Sequence, residues 1–275
     1  MLRCGRFNFP FPRPLIMGIV NVTPDSFSDG GRFESTPAAI EHALRLIEEG
    51  ADLLDIGGES TRPGALAVPL DEELRRVIPL VEALRDKNVA LSVDTCKPQV
   101  MRAAIAAGTD MINDIAALLA EGALEAVADS HVAVCLMHKQ GTPQTMQQQP
   151  EYRDVVADVM AFLAERLAAC EQAGIARERL VVDPGFGFGK TLAHNIDLLR
   201  HLDCFQTLGV PLLAGLSRKS MLGAITGLEV EERLQPSVAA ALLAVLKGAK
   251  IVRVHDVKAT KQALQIVNAI EGIEP

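Results

Sequence analysis

The stretch LVVDPGFGFGKT, residues 180–191, joins a short aliphatic run to a glycine-rich turn. An aliphatic run of this length that ends at proline and glycine is typical of a buried β-strand. The turn matches neither common phosphate-binding template. A Walker A loop needs glycine at Pro184, and a dinucleotide-binding loop that starts at Gly185 needs glycine at Lys190. The sequence therefore predicts a strand and a turn whose glycines serve another purpose.

The same unit of strand followed by helix recurs along the chain. Helical patterns lie between the strands, and the pattern over residues 237–248 is so apolar that we expect a helix that is either buried in the chain or shared between subunits. Eight alternations without a linker predict an α/β fold, a single-domain parallel (β/α)8 TIM barrel with its active site at the C-terminal ends of the strands. We expect residues 15–275 to form the barrel and residues 1–14 to cover its bottom. The predicted strands are residues 15–20, 52–57, 89–94, 110–115, 132–137, 180–185, 211–216 and 250–255, and further predicted helices are residues 36–50, 154–174 and 259–272.

Composition excludes several classes of function. The chain has 275 residues and a net charge of −8, which disfavours a general nucleic-acid-binding protein because such proteins need a basic surface. Its five cysteines are scattered without a CxxC pair, as in reduced cytosolic proteins. No apolar run is long enough for a signal peptide or a membrane span. These features predict a cytoplasmic protein that acts on small molecules.

Polar side chains stand at the C-terminal ends of nearly all predicted strands, where barrel enzymes build their active sites. Two carboxylates and an amide in this set can hold the N–H edge of a flat heterocycle, and a lysine can meet its carbonyl group or ring nitrogen. Residues from the first and last strands, which are neighbours in a closed barrel, suit phosphate oxygens with or without a divalent cation. The first group is Asp94, Asn113, Asp183 and Lys219, and the second is Asn21, Arg253 and His255. His138 fits a structural role and a site role equally well.

Seven motifs carry a family resemblance, in the right order and from about residue 15 to 257. They are MGIVNVTPDSFSDGG, DIGGESTRPGA, SVDT, INDI, DPGFGFGK, GLSRKSM and RVHDV. Together they resemble the dihydropteroate synthases of the bacterial folate pathway. Lys139 is a small departure, because the family often has methionine there.

The resemblance implies a reaction. Members of the family condense 6-hydroxymethyl-7,8-dihydropterin pyrophosphate with p-aminobenzoate, with the help of Mg²⁺, to give 7,8-dihydropteroate and pyrophosphate. The bond to pyrophosphate breaks first, in an SN1-like step. The family also implies inhibition by sulfonamides, which compete with p-aminobenzoate, and a homodimer.

The resemblance also implies roles for individual residues. Asp94, Asp183, Lys219, Arg253 and His255 are the expected catalytic residues. The pterin pocket is expected to consist of Asp94, Asn113, Asp183 and Lys219, with Ile115 and Met137 as walls and Gly215 as floor. Asn21 is the expected ligand of the metal and the pyrophosphate. The p-aminobenzoate side is expected to comprise Thr61, Arg62, Pro63, Phe188, Lys219 and Ser220, with Phe27, Ser28 and Asp29 on the loop after the first strand.

Two other functions stay open at the level of sequence. A methyltetrahydrofolate-dependent methyltransferase uses the same fold and a similar pterin pocket, but a methyl donor needs no anion site of Asn21, Arg253 and His255. A paralogue that binds a pterin without turnover would keep part of the site. Pyrophosphate release that depends on Mg²⁺ separates both from the synthase.

Overall fold

The computed structural model describes residues 1–22, 35–60, 64–141, 146 and 150–272. Eight parallel strands form one sheet. They are β3 (Leu15–Asn21), β4 (Leu53–Gly57), β5 (Ala90–Asp94), β6 (Met111–Asp114), β7 (Ala133–Met137), β8 (Leu180–Asp183), β9 (Leu213–Ala214) and β10 (Ile251–Val254). Their order in the sheet is β8-β7-β6-β5-β4-β3-β10-β9. A parallel bridge between Val182 and Leu212 joins the two outer strands, so the sheet closes on itself as predicted.

Helices surround the barrel because each strand is followed by an amphipathic or apolar helical run. Asp154 caps the long helix that starts at Val155, since its side chain accepts hydrogen bonds from the backbone N–H groups of Val156 and Ala157. The helices are α1 (Ser35–Glu49), α2 (Leu70–Leu84), α3 (Pro98–Ala107), α4 (Ala123–Ala128), α5 (Val155–Gln172), α6 (Leu192–Arg200), α7 (Ser220–Thr226), α8 (Leu234–Leu246) and α9 (Val257–Ile270).

The N-terminal residues form an antiparallel hairpin, β1 (Leu2–Cys4) and β2 (Phe7–Phe9). Leu2 and Cys4 are fully buried and belong to a cluster that includes the first residues of most barrel strands. The other apolar cluster lies between the strands and the helices. Because inward and outward residues alternate along a strand, the residues that follow this inner cluster toward the C-terminal ends line the barrel mouth.

Two expectations from sequence need correction. Strand β9 has two residues rather than six; Pro211 before it has no N–H group, and so cannot donate to a neighbouring strand. Helix α8 is not fully buried, because Leu243 and Leu246 expose 50% and 60% of their surface. Hydropathy alone could not separate the face of α8 that packs on the barrel from this open face. In the part of the chain that the structure describes, no helix is long and apolar enough to cross a membrane.

Candidate active site

Strand register brings the predicted pterin residues side by side at the barrel mouth. Asp94 on β5 pairs with Gly57 on one side and with Asn113 on the other. Asn21, the last residue of β3, also pairs with Gly57. Met137 on β7 pairs with Asp183 on β8. The C-terminal ends of six neighbouring strands, β3 to β8, therefore form one continuous lining of the mouth.

A carboxylate that the sequence reasoning missed is the centre of this lining. Asp55 on β4 is fully buried, and its Oδ1 accepts a hydrogen bond of 2.6 Å from the Ser92 hydroxyl. Its Oδ2 accepts bonds of 3.0 Å from Asn113 Nδ2 and 2.6 Å from Arg253 Nε. Asp55 therefore fixes two predicted site residues. Asp55 lies two residues before Gly57, so period-two alternation places both residues on the inward face of β4. That spacing was the sequence signal that could have identified Asp55 as a site residue.

The guanidinium of Arg253 lies between two carboxylates rather than in an open anion site. In addition to its bond to Asp55, it donates from Nη2 to Asp94 Oδ2 over 3.2 Å. Burial, and next the Asp55 carboxylate, raise the pKa of Asp94 from 3.8 to about 7, and Arg253 opposes the rise. Two buried carboxylates thus share one guanidinium, which leaves this part of the lining with an excess of negative charge when both are ionised.

Asp183 and Lys219 form the other charged part of the lining. Asp183 is 6% exposed, and its Oδ1 accepts a hydrogen bond of 2.7 Å from the N–H of Gly185. Burial raises the pKa of Asp183, while Lys219 acts in the opposite direction. Burial also lowers the pKa of Lys219 from 10.5 to about 8, and Asp183 opposes that change. The two groups therefore stabilise each other's charged forms.

The glycine-rich loop presents one aromatic ring to this lysine. Lys219 Nζ lies 4.5 Å from the centroid of the half-buried Phe188 ring and donates a hydrogen bond to the carbonyl of Phe186. Gly215, across the mouth, is placed so that a Cβ atom there would lie 3.8 Å from Arg253 Cβ and 4.0 Å from Asp183 Oδ2. Phe188, Lys219, Asp183 and Arg253 thus lie close to one another at the barrel mouth.

The glycine-rich loop does not have the hydrogen bonding of a phosphate-binding loop. Its N–H groups donate within the protein, Gly187 to Asn195 Oδ1 over 2.7 Å and Phe188 to the Gly185 carbonyl over 3.2 Å. Gly185 has a φ of +71°, and a Cβ there would lie 1.9 Å from the carbonyl oxygen of His138. Only glycine fits at that position, so the loop can pass directly over β7.

His255 follows β10 and is held by the neighbouring strand end. Its Nδ1 lies 2.9 Å from the Ser217 hydroxyl, which also accepts a 3.2 Å bond from the His255 N–H. A hydroxyl can accept two hydrogen bonds and donate one, so either group can donate in the contact between Ser217 Oγ and His255 Nδ1. Arg218, at a φ of +57°, turns away from the mouth to pair with Asp256 over 2.7 Å. Ser220, by contrast, is exposed at the start of α7.

The remaining predicted residues fall into two groups. Ile115 and Met137 are buried, with 6% and 4% of their surface exposed, and continue the inward rows of β6 and β7. The residues predicted on the two loops after the first and second barrel strands lie outside the described residues. These are Phe27, Ser28, Asp29, Thr61, Arg62 and Pro63.

Comparisons with protein families and with curated proteins agree on one family for this chain. The model of the pterin binding enzymes matches residues 17–255. The dihydropteroate synthase of Escherichia coli K12 is 53% identical over 257 residues, which cover 93% of this chain and 91% of that protein.

Solved structures agree with that match. A Xanthomonas albilineans dihydropteroate synthase with 4-aminobenzoic acid is 59% identical with a TM-score of 0.91, over 96% of this chain and 95% of the other. A Yersinia pestis dihydropteroate synthase in a sulfonamide drug complex is 49% identical with a TM-score of 0.94, over 98% and 99%. The chain belongs to the dihydropteroate synthases, the pterin-binding transferases of folate biosynthesis that condense 6-hydroxymethyl-7,8-dihydropterin pyrophosphate with p-aminobenzoate.

Proposed function

We propose that the pterin ring binds across the buried lining of the mouth, with its N–H edge on the carboxylates. The observation that carries this assignment is the set of two buried carboxylates and a buried amide at the ends of β5, β6 and β8. Their exposed fractions are 8% for Asp94, 5% for Asn113 and 6% for Asp183. Buried carboxylates need hydrogen-bond donors, and a pterin supplies several in one plane. Ile115 and Met137 form the apolar walls, and Gly215 leaves room for the ring.

The aromatic amine binds on the side of Phe188 and Lys219. The Phe188 ring offers an apolar face, and Lys219 can meet the carboxylate of p-aminobenzoate or a polar atom of the pterin. Ser220 is exposed at the N-terminal end of α7, next to Lys219. The further residues proposed for this side from the family resemblance are Phe27, Ser28, Asp29, Thr61, Arg62 and Pro63. Sulfonamides would compete with the amine at the same place.

The leaving pyrophosphate is assigned to Asn21, Arg253 and His255. Asn21 Oδ1 and Asp94 Oδ2 lie 3.7 and 4.0 Å from the position of a Cβ on Gly57, so an amide oxygen and a carboxylate oxygen converge at the mouth. Such hard oxygen donors fit Mg²⁺, which commonly takes one or two protein ligands together with substrate phosphates. When bound there through Asn21, Mg²⁺ would offset the charge of the pyrophosphate oxygens.

The charges of the site favour an SN1-like reaction. Loss of pyrophosphate leaves positive charge on the pterin, and the carboxylates of Asp94 and Asp183 are fixed beside the proposed ring position. Preorganised charges of this kind stabilise a developing opposite charge without the cost of reorientation. Arg253 and an N–H group of His255 can donate to the departing anion. The amine nitrogen then attacks the cation from the side of Phe188 and forms the C–N bond, and the proton that it loses leaves with solvent or with the pyrophosphate.

Pyrophosphate release tests this function directly. We expect steady-state release from the dihydropterin pyrophosphate to require p-aminobenzoate and Mg²⁺, to stop when the metal is removed by a chelator, and to return when Mg²⁺ is added back. A sulfonamide should inhibit the reaction or form a pterin adduct. Metal-independent turnover would contradict the Mg²⁺ proposal, and pterin binding without any release would indicate a non-catalytic paralogue.

The open face of α8 supports the homodimer that the family resemblance implies. Leu243 and Leu246 on α8 and Ile225 on α7 each expose at least half of their surface, at 50%, 60% and 57%, and the two helices pack together. Apolar side chains grouped on adjacent helices favour burial against a second copy. We expect sedimentation equilibrium to give twice the mass of one chain, and the double substitution Leu243→Lys with Leu246→Lys to give monomers. A monomeric native protein would exclude the dimer.

We also propose that the protein is cytoplasmic. All five cysteines are free thiols, as expected in a reducing compartment.

A further inference from the structure

Lys190 is buried beneath the glycine-rich loop, and the mechanism above does not use it. The residue exposes only 2% of its surface. Its Nζ lies 2.9 Å from the Gly185 carbonyl oxygen, 3.0 Å from the Phe188 carbonyl oxygen and 2.9 Å from His138 Nδ1. A buried amine is costly unless it is fully hydrogen-bonded, so these contacts account for its burial.

The number of acceptors indicates an ammonium group. Three acceptors lie within 3.0 Å of Nζ, with the His138 carbonyl oxygen farther away at 3.4 Å, and a protonated lysine has three N–H donors. His138 must then accept at Nδ1 and carry its ring proton on Nε2. Burial, and next the charge of Lys190, lower the pKa of His138 to about 3, so its ring is neutral. Burial also lowers the pKa of Lys190 to about 7, with Asp183 opposing and Lys219 reinforcing that change.

Three side chains hydrogen-bond to the backbone of the loop. Lys219 donates to the Phe186 carbonyl. Lys190 donates to the carbonyls of Gly185 and Phe188, and the Tyr152 hydroxyl donates to the Gly189 carbonyl over 2.8 Å. Lys190 therefore fixes the peptide of Phe188 through a hydrogen bond to its carbonyl oxygen, and Lys190 is itself held by a hydrogen bond to His138 Nδ1.

We propose that Lys190 is a positioning residue for the aromatic amine: with His138 as its acceptor, it fixes the Phe188 peptide and so orients the ring against which the amine packs. This inference rests on the placement of the amine beside Phe188 in the proposed function. It assigns His138 a supporting role within the protein rather than contact with a substrate. Loss of Lys190 removes the donor to the Phe188 carbonyl and one of the two donors to the Gly185 carbonyl, so the Phe188 ring loses its fixed orientation.

The experiment compares steady-state kinetics and thermal unfolding for a set of variants. We expect Lys190→Met to raise the KM for p-aminobenzoate by about tenfold, which corresponds to about 1.4 kcal/mol, and to change the KM for the pterin substrate by much less. His138→Leu removes the acceptor and should act in the same direction. His138→Asn, whose Oδ1 can take the place of Nδ1, should restore most of the amine affinity. Lys250→Met, at an exposed lysine at the opposite end of the barrel, is the matched control and should change neither KM.

Several outcomes would overturn the inference. If the folded Lys190→Met variant keeps the native KM for the amine, Lys190 has a purely structural role. The same holds if the variant only lowers the amount of active enzyme and leaves that KM unchanged. If Lys190→Met does not fold, equal amine KM values for His138→Leu and His138→Asn would have the same meaning. The variant Phe188→Ala distinguishes failure of the proposed function from failure of this inference. An unchanged KM for the amine in Phe188→Ala would refute the amine site itself. A raised KM in Phe188→Ala, together with no effect of Lys190→Met, would refute only the positioning role of Lys190.

Discussion

Substitution of Asp183 by asparagine is expected to lower kcat by about 100- to 1,000-fold while the Kd for the pterin substrate changes by less than about tenfold. Asparagine keeps the oxygen that accepts the 2.7 Å bond from Gly185 N–H, so the loop and the pterin pocket keep their shape. It removes the negative charge that faces the developing cation. An interaction that is stronger in the transition state than in the ground state affects kcat more than binding.

A second effect of Asp183→Asn separates charge from shape. Asp183 opposes the lowering of the Lys219 pKa, which stands at about 8. Without that carboxylate the Lys219 pKa falls further, so the alkaline limb of the pH profile of kcat should move to lower pH. The measurements are kcat across pH and the Kd for the pterin substrate by calorimetry. Asp203→Asn, at an exposed aspartate outside the barrel mouth, is the control. Equal losses of kcat and pterin affinity would mean that Asp183 only binds the ring.

The strands could be predicted from the sequence because both of their faces are buried in a barrel, which makes each one a continuous apolar run. The ends of those strands then identified the polar lining, since all parallel strands present their C-terminal ends to one mouth. Asp55 was missed because it lies inside such a run, one layer below the mouth. Its register partner Ser92 occupies the same inner layer, and the two together break the apolar row.

Side-chain directions outside the strands could not be predicted in the same way. Period-two alternation fixes the direction of a strand residue, but Lys190 lies in a turn, where its side chain can lie on either side of the loop. Arg253 illustrates a different limit. Its alternation with Val254 correctly indicated that it faces inward, yet only the structure reveals that Asp55 and Asp94 already pair with it.

That pairing makes Arg253→Met the substitution with the largest expected effect on stability. It leaves the fully buried Asp55 and the 8% exposed Asp94 without their shared cation. Removal of one partner from a buried ion pair typically costs about 3–5 kcal/mol of the free energy of unfolding. The loss of the guanidinium should also weaken binding of the pterin pyrophosphate ester, while binding of the product 7,8-dihydropteroate, which carries no pyrophosphate, is affected less.

The stability loss should depend on pH in a defined direction. Asp94 has a folded pKa of about 7, above its ordinary value of 3.8, so its protonated form is favoured by folding and its contribution to stability is lost as pH rises through that window. Arg253 opposes this rise, so its removal moves the folded pKa of Asp94 upward. In urea unfolding, the free energy of unfolding of both proteins should fall as pH rises. In Arg253→Met this fall should continue to a higher pH than in the native protein.

A double variant distinguishes charge balance from catalysis. Arg253→Met with Asp55→Asn removes one of the two uncompensated carboxylates and should recover part of the lost unfolding free energy. It should not recover pyrophosphate release, because the guanidinium proposed to meet the leaving group is still absent. Arg200→Met, which breaks an exposed pair with Asp197, should cost less than about 1 kcal/mol and serves as the control. Recovery of activity together with stability in the double variant would limit Arg253 to a structural role and require another cation for the departing pyrophosphate.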